Sequence, residues 1–110
     1  MAEVEECPCY SVVAFGEIKR LQRIYQTHQD LVVEPTKLDI EIATEQHKNA
    51  RRFVFRMEEA CRLMPFKVDL SKVKAKLDSS IEAFKDKKVA TAIDEIIDAD
   101  IQLRKAICTK

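Results

Sequence analysis

The chain has one glycine, three prolines and no tryptophan in 110 residues. Tight turns draw on glycine and proline, so their scarcity leaves room for few turns and argues against a many-stranded β fold. Gly16 stands alone, which excludes a glycine-rich loop that cradles phosphate. No apolar run approaches the roughly 20 residues that span a bilayer, so no membrane helix is expected. Neither sign of charge is in excess. Nineteen basic residues balance nineteen acidic ones, and such a chain exerts no general attraction on nucleic acid or anionic lipid. The segment Met1 to Glu6 is acidic where a secretory signal would be basic, which makes the cytoplasm the expected location. No serine, histidine and acid fall into a triad pattern. Neither histidine carries the Glu-x-x-His spacing of a carboxylate-bridged di-iron bundle, since Tyr25 precedes His28 and Thr44 precedes His47 at that offset. An enzyme is therefore the least supported class.

What is present is a balance of 46% apolar and 35% charged residues, the composition of a folded domain. The length suits one domain over residues 1–110, with residues 1–10 read as an extended lead-in. Apolar residues then recur at helical spacing. A first helix runs from Ser11 or Gly16 to Leu31, with Ala14, Ile18, Leu21, Tyr25, His28 and Val32 on one face. Glycine inside a helix costs about 1 kcal/mol relative to alanine, which favours an extended segment from Tyr10 to Phe15.

The second helix opens after Pro35 with Thr36 and Asp39 in the spacing of a capping box. Its face of Ile40, Ala43, His47, Ala50, Val54, Met57, Cys61 and Met64 is an unbroken heptad seam, and Pro65 ends it. Asp69 is the expected N-cap of a third helix with Leu70, Val73, Leu77, Ile81 and Phe84 inward. The apolar phase slips between Phe84 and Val89, so Asp86-Lys87-Lys88 reads as a polar turn. A fourth helix follows with Val89, Ile93, Ile96, Ile97, Leu103 and Ile107 inward. The fold expected is all-α, an antiparallel up-down four-helix bundle. The alternative is three long helices, with the third and fourth fused.

Three ionisable residues fall on apolar faces: His28, His47 and Asp100. A buried carboxylate is costly unless neutral or paired, so Asp100 requires a cation, a tyrosine or water. The helix lengths keep the two histidines about 7 Å apart along the axis, poor geometry for one metal ion. The cysteines behave differently. Antiparallel packing gathers Cys7, Cys9, Cys61 and Cys108 at one end, where four thiolates would hold zinc or an iron–sulfur cluster. Against that stand the short C-x-C spacing and the heptad position of Cys61, which favour unpaired thiols over a metal site or a disulfide. No cofactor is the primary expectation.

From His47 to Arg56 the chain has four basic residues and no acid. Lys48, Arg51, Arg52 and Arg56 beside Phe55 would grip phosphate and stack a base. The plainer alternative is a solvated face, neutralised by Asp94, Glu95 and Asp98 of the fourth helix. Arg23 and His28 match an R-x4-H spacing found in some helical-bundle ribonucleases, but seven arginines make such a spacing common by chance. If the first helix begins early, Val12 and Phe15 point away from its main face, where they either offer apolar surface for self-association or cap the end of the bundle. The functional expectation is a small cytoplasmic interaction or scaffold protein that binds a protein partner or itself as a homo-oligomer. The alternatives are a nucleic-acid-binding subunit and a metal or redox module.

Overall fold

The computed structural model describes residues 11–61 and 69–107. Among them are four helices, α1 (Ser11–Leu31), α2 (Lys37–Cys61), α3 (Ser71–Lys85) and α4 (Val89–Ile107), with no strand. The fold is all-α, and α3 and α4 are separate helices. Each helix has two principal neighbours, in the ring α1–α2–α3–α4–α1. Across α1 and α2, Glu17 meets Gln46 while His28 meets Asp39. Across α1 and α4, Phe15 meets Arg104 while Lys19 meets Asp100. One number rises as the other falls, the order an up-and-down bundle requires.

The core follows the apolar stripes. Ile18, Leu21 and Tyr25 of α1 meet Val54 and Met57 of α2, Val73, Leu77 and Phe84 of α3, and Ile96 and Leu103 of α4 in one buried cluster. Full burial of a side chain of this size contributes roughly 1.5–3 kcal/mol. That scale explains why α1 includes residues 11–15 and continues through Gly16 instead of leaving them extended. Ala14 is buried and Phe15 packs against the core, which outweighs the cost of about 1 kcal/mol for one glycine. Phe15 is thus not spare surface, whereas Val12 is exposed.

The capping box at the start of α2 is present in both directions. The Asp39 N–H donates to Thr36 Oγ1 at 3.2 Å, and the Thr36 N–H donates to Asp39 Oδ2 at 2.8 Å. These bonds satisfy two otherwise orphaned donors. At α3 the expectation shifts by one residue. Leu70 occupies the N-cap position because its side chain is drawn fully into the core. Asp69 still accepts from the Ser71 N–H at 3.1 Å and the Ser71 hydroxyl at 2.8 Å.

Among the described residues, two expected core residues lie outside the core. Val32 follows the last residue of α1, so its place in the helical stripe has no helix to carry it, and it is 89% exposed. Ile97 is exposed because it adjoins fully buried Ile96, and neighbours on a helix are about 100° apart around the axis.

Candidate interaction surface

The polar residues on the apolar faces each have an internal partner. Ser80 donates to the Leu77 carbonyl at 2.8 Å, so the Tyr25 hydroxyl donates to Ser80 Oγ at 3.0 Å. Burial pushes the Tyr25 phenol well above its ordinary pKa and keeps it neutral. Tyr25 also stacks at a tilt on Phe84, with centroids 4.9 Å apart. Ser80 was not among the expected polar core residues. The signal was there, since it continues the stripe Val73, Leu77, Ser80, Phe84 at steps of four, three and four.

Asp100 is buried, and cations answer it from one side: Arg104 at 3.1 Å from its own helix and Lys19 at 3.7 Å from α1. Arg104 in turn lies over the Phe15 ring, 5.8 Å from its centroid. Both partners come from the α1–α4 seam. Among the described residues, the buried Asp100 Oδ1 and Gln22 Oε1 find no hydrogen-bond partner.

His47 and His28 stand apart. His47 Nε2 is 2.9 Å from Asp78 Oδ1. Burial of the ring outweighs this carboxylate and holds the His47 pKa below its ordinary value, so the neutral ring donates to Asp78. His28 Nδ1 is 2.9 Å from the Val33 carbonyl, and its Nε2 is 3.7 Å from Asp39. The His28 ring also meets the Phe84 ring edge-on at 5.4 Å. His28 thereby ties the end of α1 to the start of α2 and to the end of α3. An open groove of about 530 Å³ lies beside it, lined by Val32, Val33, Pro35, Lys87 and Val89 among others. Both ring nitrogens of His28 already face partners, so the groove gains no free base from it.

The proposed sulfur cluster falls outside the described residues. Cys7, Cys9 and Cys108 lie beyond them, and Cys61 is the last described residue of α2. Among the described residues, no group of three or more His, Cys, Asp or Glu is placed to hold a metal ion. Among them too, no helix is long and apolar enough to cross a membrane.

The basic stretch divides. Arg51 turns toward α3, with its guanidinium 3.6 Å from Asp78. Lys48 is 3.5 Å from Glu45, one turn earlier. Arg52 and Arg56 are exposed and form no ion pair among the described residues, with Phe55 beside them 53% exposed. Two of the α4 acids weighed as neutralising this face, Glu95 and Asp98, pair instead with Lys76 of α3 at 3.4 and 3.1 Å. Those two acids raise the Lys76 pKa, Asp98 foremost.

The outward strip of α2 therefore changes character along its length. Its first half carries Leu38, Glu41, Ile42 and Glu45; its second half carries Lys48, Arg52, Phe55 and Arg56, all exposed. Leu31, Val32 and Val33 continue the apolar surface across the turn from α1. Leu38 and Ile42 were missed as surface features although the sequence marks them, since both are large apolar residues off the heptad seam of α2. Comparison of the chain with protein-family models, with curated proteins and with solved structures gives no match.

Proposed function

We propose that the chain is a small interaction or scaffold protein that self-associates, and that it does so through the outward strip of α2 and the adjoining turn. One observation carries this reading. Leu31, Val32, Val33, Leu38 and Ile42 are all exposed at one end of the bundle, and exposed apolar residues gathered in one place mark binding surfaces. Val32 is there despite a backbone φ of 54°, a conformation disfavoured for a β-branched residue. A residue that is both strained and exposed contributes little to the fold of a single copy. A cytoplasmic setting belongs to the same reading and rests on the sequence alone.

A nucleic-acid interface would draw on Arg52, Arg56 and Phe55. Glu41 and Glu45 share their strip and would repel a polyanion, so a protein surface fits better. The metal or redox reading depends on cysteines beyond the described residues. Light scattering across a wide concentration range tests the proposal. The expected mass rises from 12.7 kDa toward twice that value. A mass that stays at 12.7 kDa at every concentration overturns it.

A further inference from the structure

We infer that two copies of the chain pair through their α2 strips in antiparallel orientation, about a twofold axis that passes between Lys48 and Asn49. The inference rests on the self-association proposed above and adds the orientation and register. Glu41, Glu45, Arg52 and Arg56 are exposed residues of one helix. They are separated by four, seven and four residues, which places them in a single stripe. The acids occupy the half near the α1–α2 turn and the arginines the other half. A twofold axis at the centre sets Glu45 opposite Arg52 of the second copy, and Glu41 opposite Arg56 of the second copy. Each pair occurs twice by symmetry. Parallel pairing would set acid against acid and arginine against arginine.

The free state of these groups leaves them available. Among the described residues neither Arg52 nor Arg56 forms an ion pair, and the tie of Glu45 is an exposed contact with Lys48 at 3.5 Å, of a kind that holds weakly. The same axis sets Ile42 level with Phe55 of the second copy, on opposite edges of the strip. Leu38, Ile42 and Phe55 supply the apolar area that exposed ion pairs alone lack. Oppositely charged pairs then fix which way round the two helices meet.

Charge reversal tests the register. Sedimentation velocity at low salt is run on the wild type, Glu45→Arg, Arg52→Glu and the double variant, with circular dichroism confirming that each remains helical. Each single reversal is expected to weaken association about tenfold or more, and the double variant to restore it. Raising the salt concentration is expected to weaken the wild type. If a variant loses its helicity, the pair Glu41→Arg and Arg56→Glu gives the same comparison at independent positions. Folded single variants that associate as the wild type does overturn the pairing, as does a folded double variant that fails to recover. Should the wild type self-associate while all variants behave alike, the register falls and the proposed function stands. A labelled 20-mer of RNA is included at the same low salt. RNA binding that Arg52→Glu abolishes and the double variant does not recover assigns the strip to a polyanion and overturns the inference.

Discussion

The chain leaves α1 and α3 by the same backbone route. After α1, the Val33 N–H reaches the His28 carbonyl at 3.1 Å and the Val32 N–H reaches Gln29 at 3.3 Å. After α3, the Lys88 N–H reaches Ala83 at 2.8 Å and the Lys87 N–H reaches Phe84 at 2.9 Å. Both are Schellman closures, in which one residue takes a left-handed conformation. Val32 does so at a φ of 54° and Lys87 at 65°. Glycine is the usual residue at such a position, yet the only glycine of the chain lies inside α1, where it costs stability. The two turns differ in what they set on the left-handed residue. Lysine is unbranched at Cβ and polar, and Lys87 lies 3.7 Å from Glu34 across the gap between the turns. Valine is branched and apolar, and Val32 projects into solvent among other apolar side chains. One turn closes a bundle; the other closes a bundle and displays a surface.

The largest test removes what joins the two turns. Phe84 is fully buried and supports both Tyr25 and His28. Phe84→Ala should cost about 3–5 kcal/mol in chemical unfolding. Hydrogen exchange should show residues 28–33 loosening together with residues 83–88. Loosening confined to α3 would mean that the turns are independent.

Substituting glycine at each turn compares them directly. A left-handed conformation costs an L-residue roughly 1–2 kcal/mol, against the extra chain entropy of glycine, about 0.5–1 kcal/mol. Val32→Gly should therefore stabilise the monomer by about 1 kcal/mol, with the β-branch adding to the gain. Lys87→Gly should gain only a few tenths, about 0.3 kcal/mol. Equal gains at the two sites would remove the distinction between them. The reverse substitution belongs at Gly16, where a Cβ would meet nothing within 4 Å. Gly16→Ala should stabilise by about 0.8 kcal/mol, read from the same unfolding curves.

The smallest effect lies away from both turns, on the α2–α3 seam. The folded pKa of His47 is held below its ordinary 6.5. The unfolded chain then takes up the proton first, so stability falls as the pH drops below 6.5 and toward the folded value. Asp39, Asp69 and Asp98 have lowered values too, but their contribution is lost only below the ordinary carboxylate value of 3.8. His47→Gln should flatten the loss between these windows and leave the acid limb unchanged. A wild-type curve flat from pH 7 to about 4 would contradict the assignment.

The sequence carried the stripes, and through them the core. Leu70, Val73, Leu77 and Phe84 are all buried where periodicity set them. The slipped phase before Val89 marked the break between α3 and α4, and the threonine–aspartate spacing marked the start of α2. Periodicity is a property of one helix, however, and the remaining features depend on two. Which side of α4 faces α1 decides that Lys19 reaches Asp100. The angle between α2 and α3 decides that Arg51 meets Asp78 while Arg52 stays outside. Val32 was misplaced for a local reason, because a stripe does not report where its helix stops. The outward strip of α2 was legible only in part. The basic half stands out as a run, whereas Leu38, Glu41, Ile42 and Glu45 gain meaning only once they are known to share its face.

The claim that this strip and turn form an interface is tested most directly by urea unfolding of the wild type at several protein concentrations in low salt. Association of folded copies stabilises them by mass action, so the midpoint should rise with concentration, and high salt should reduce the rise. A midpoint that stays fixed across the whole concentration range would contradict it.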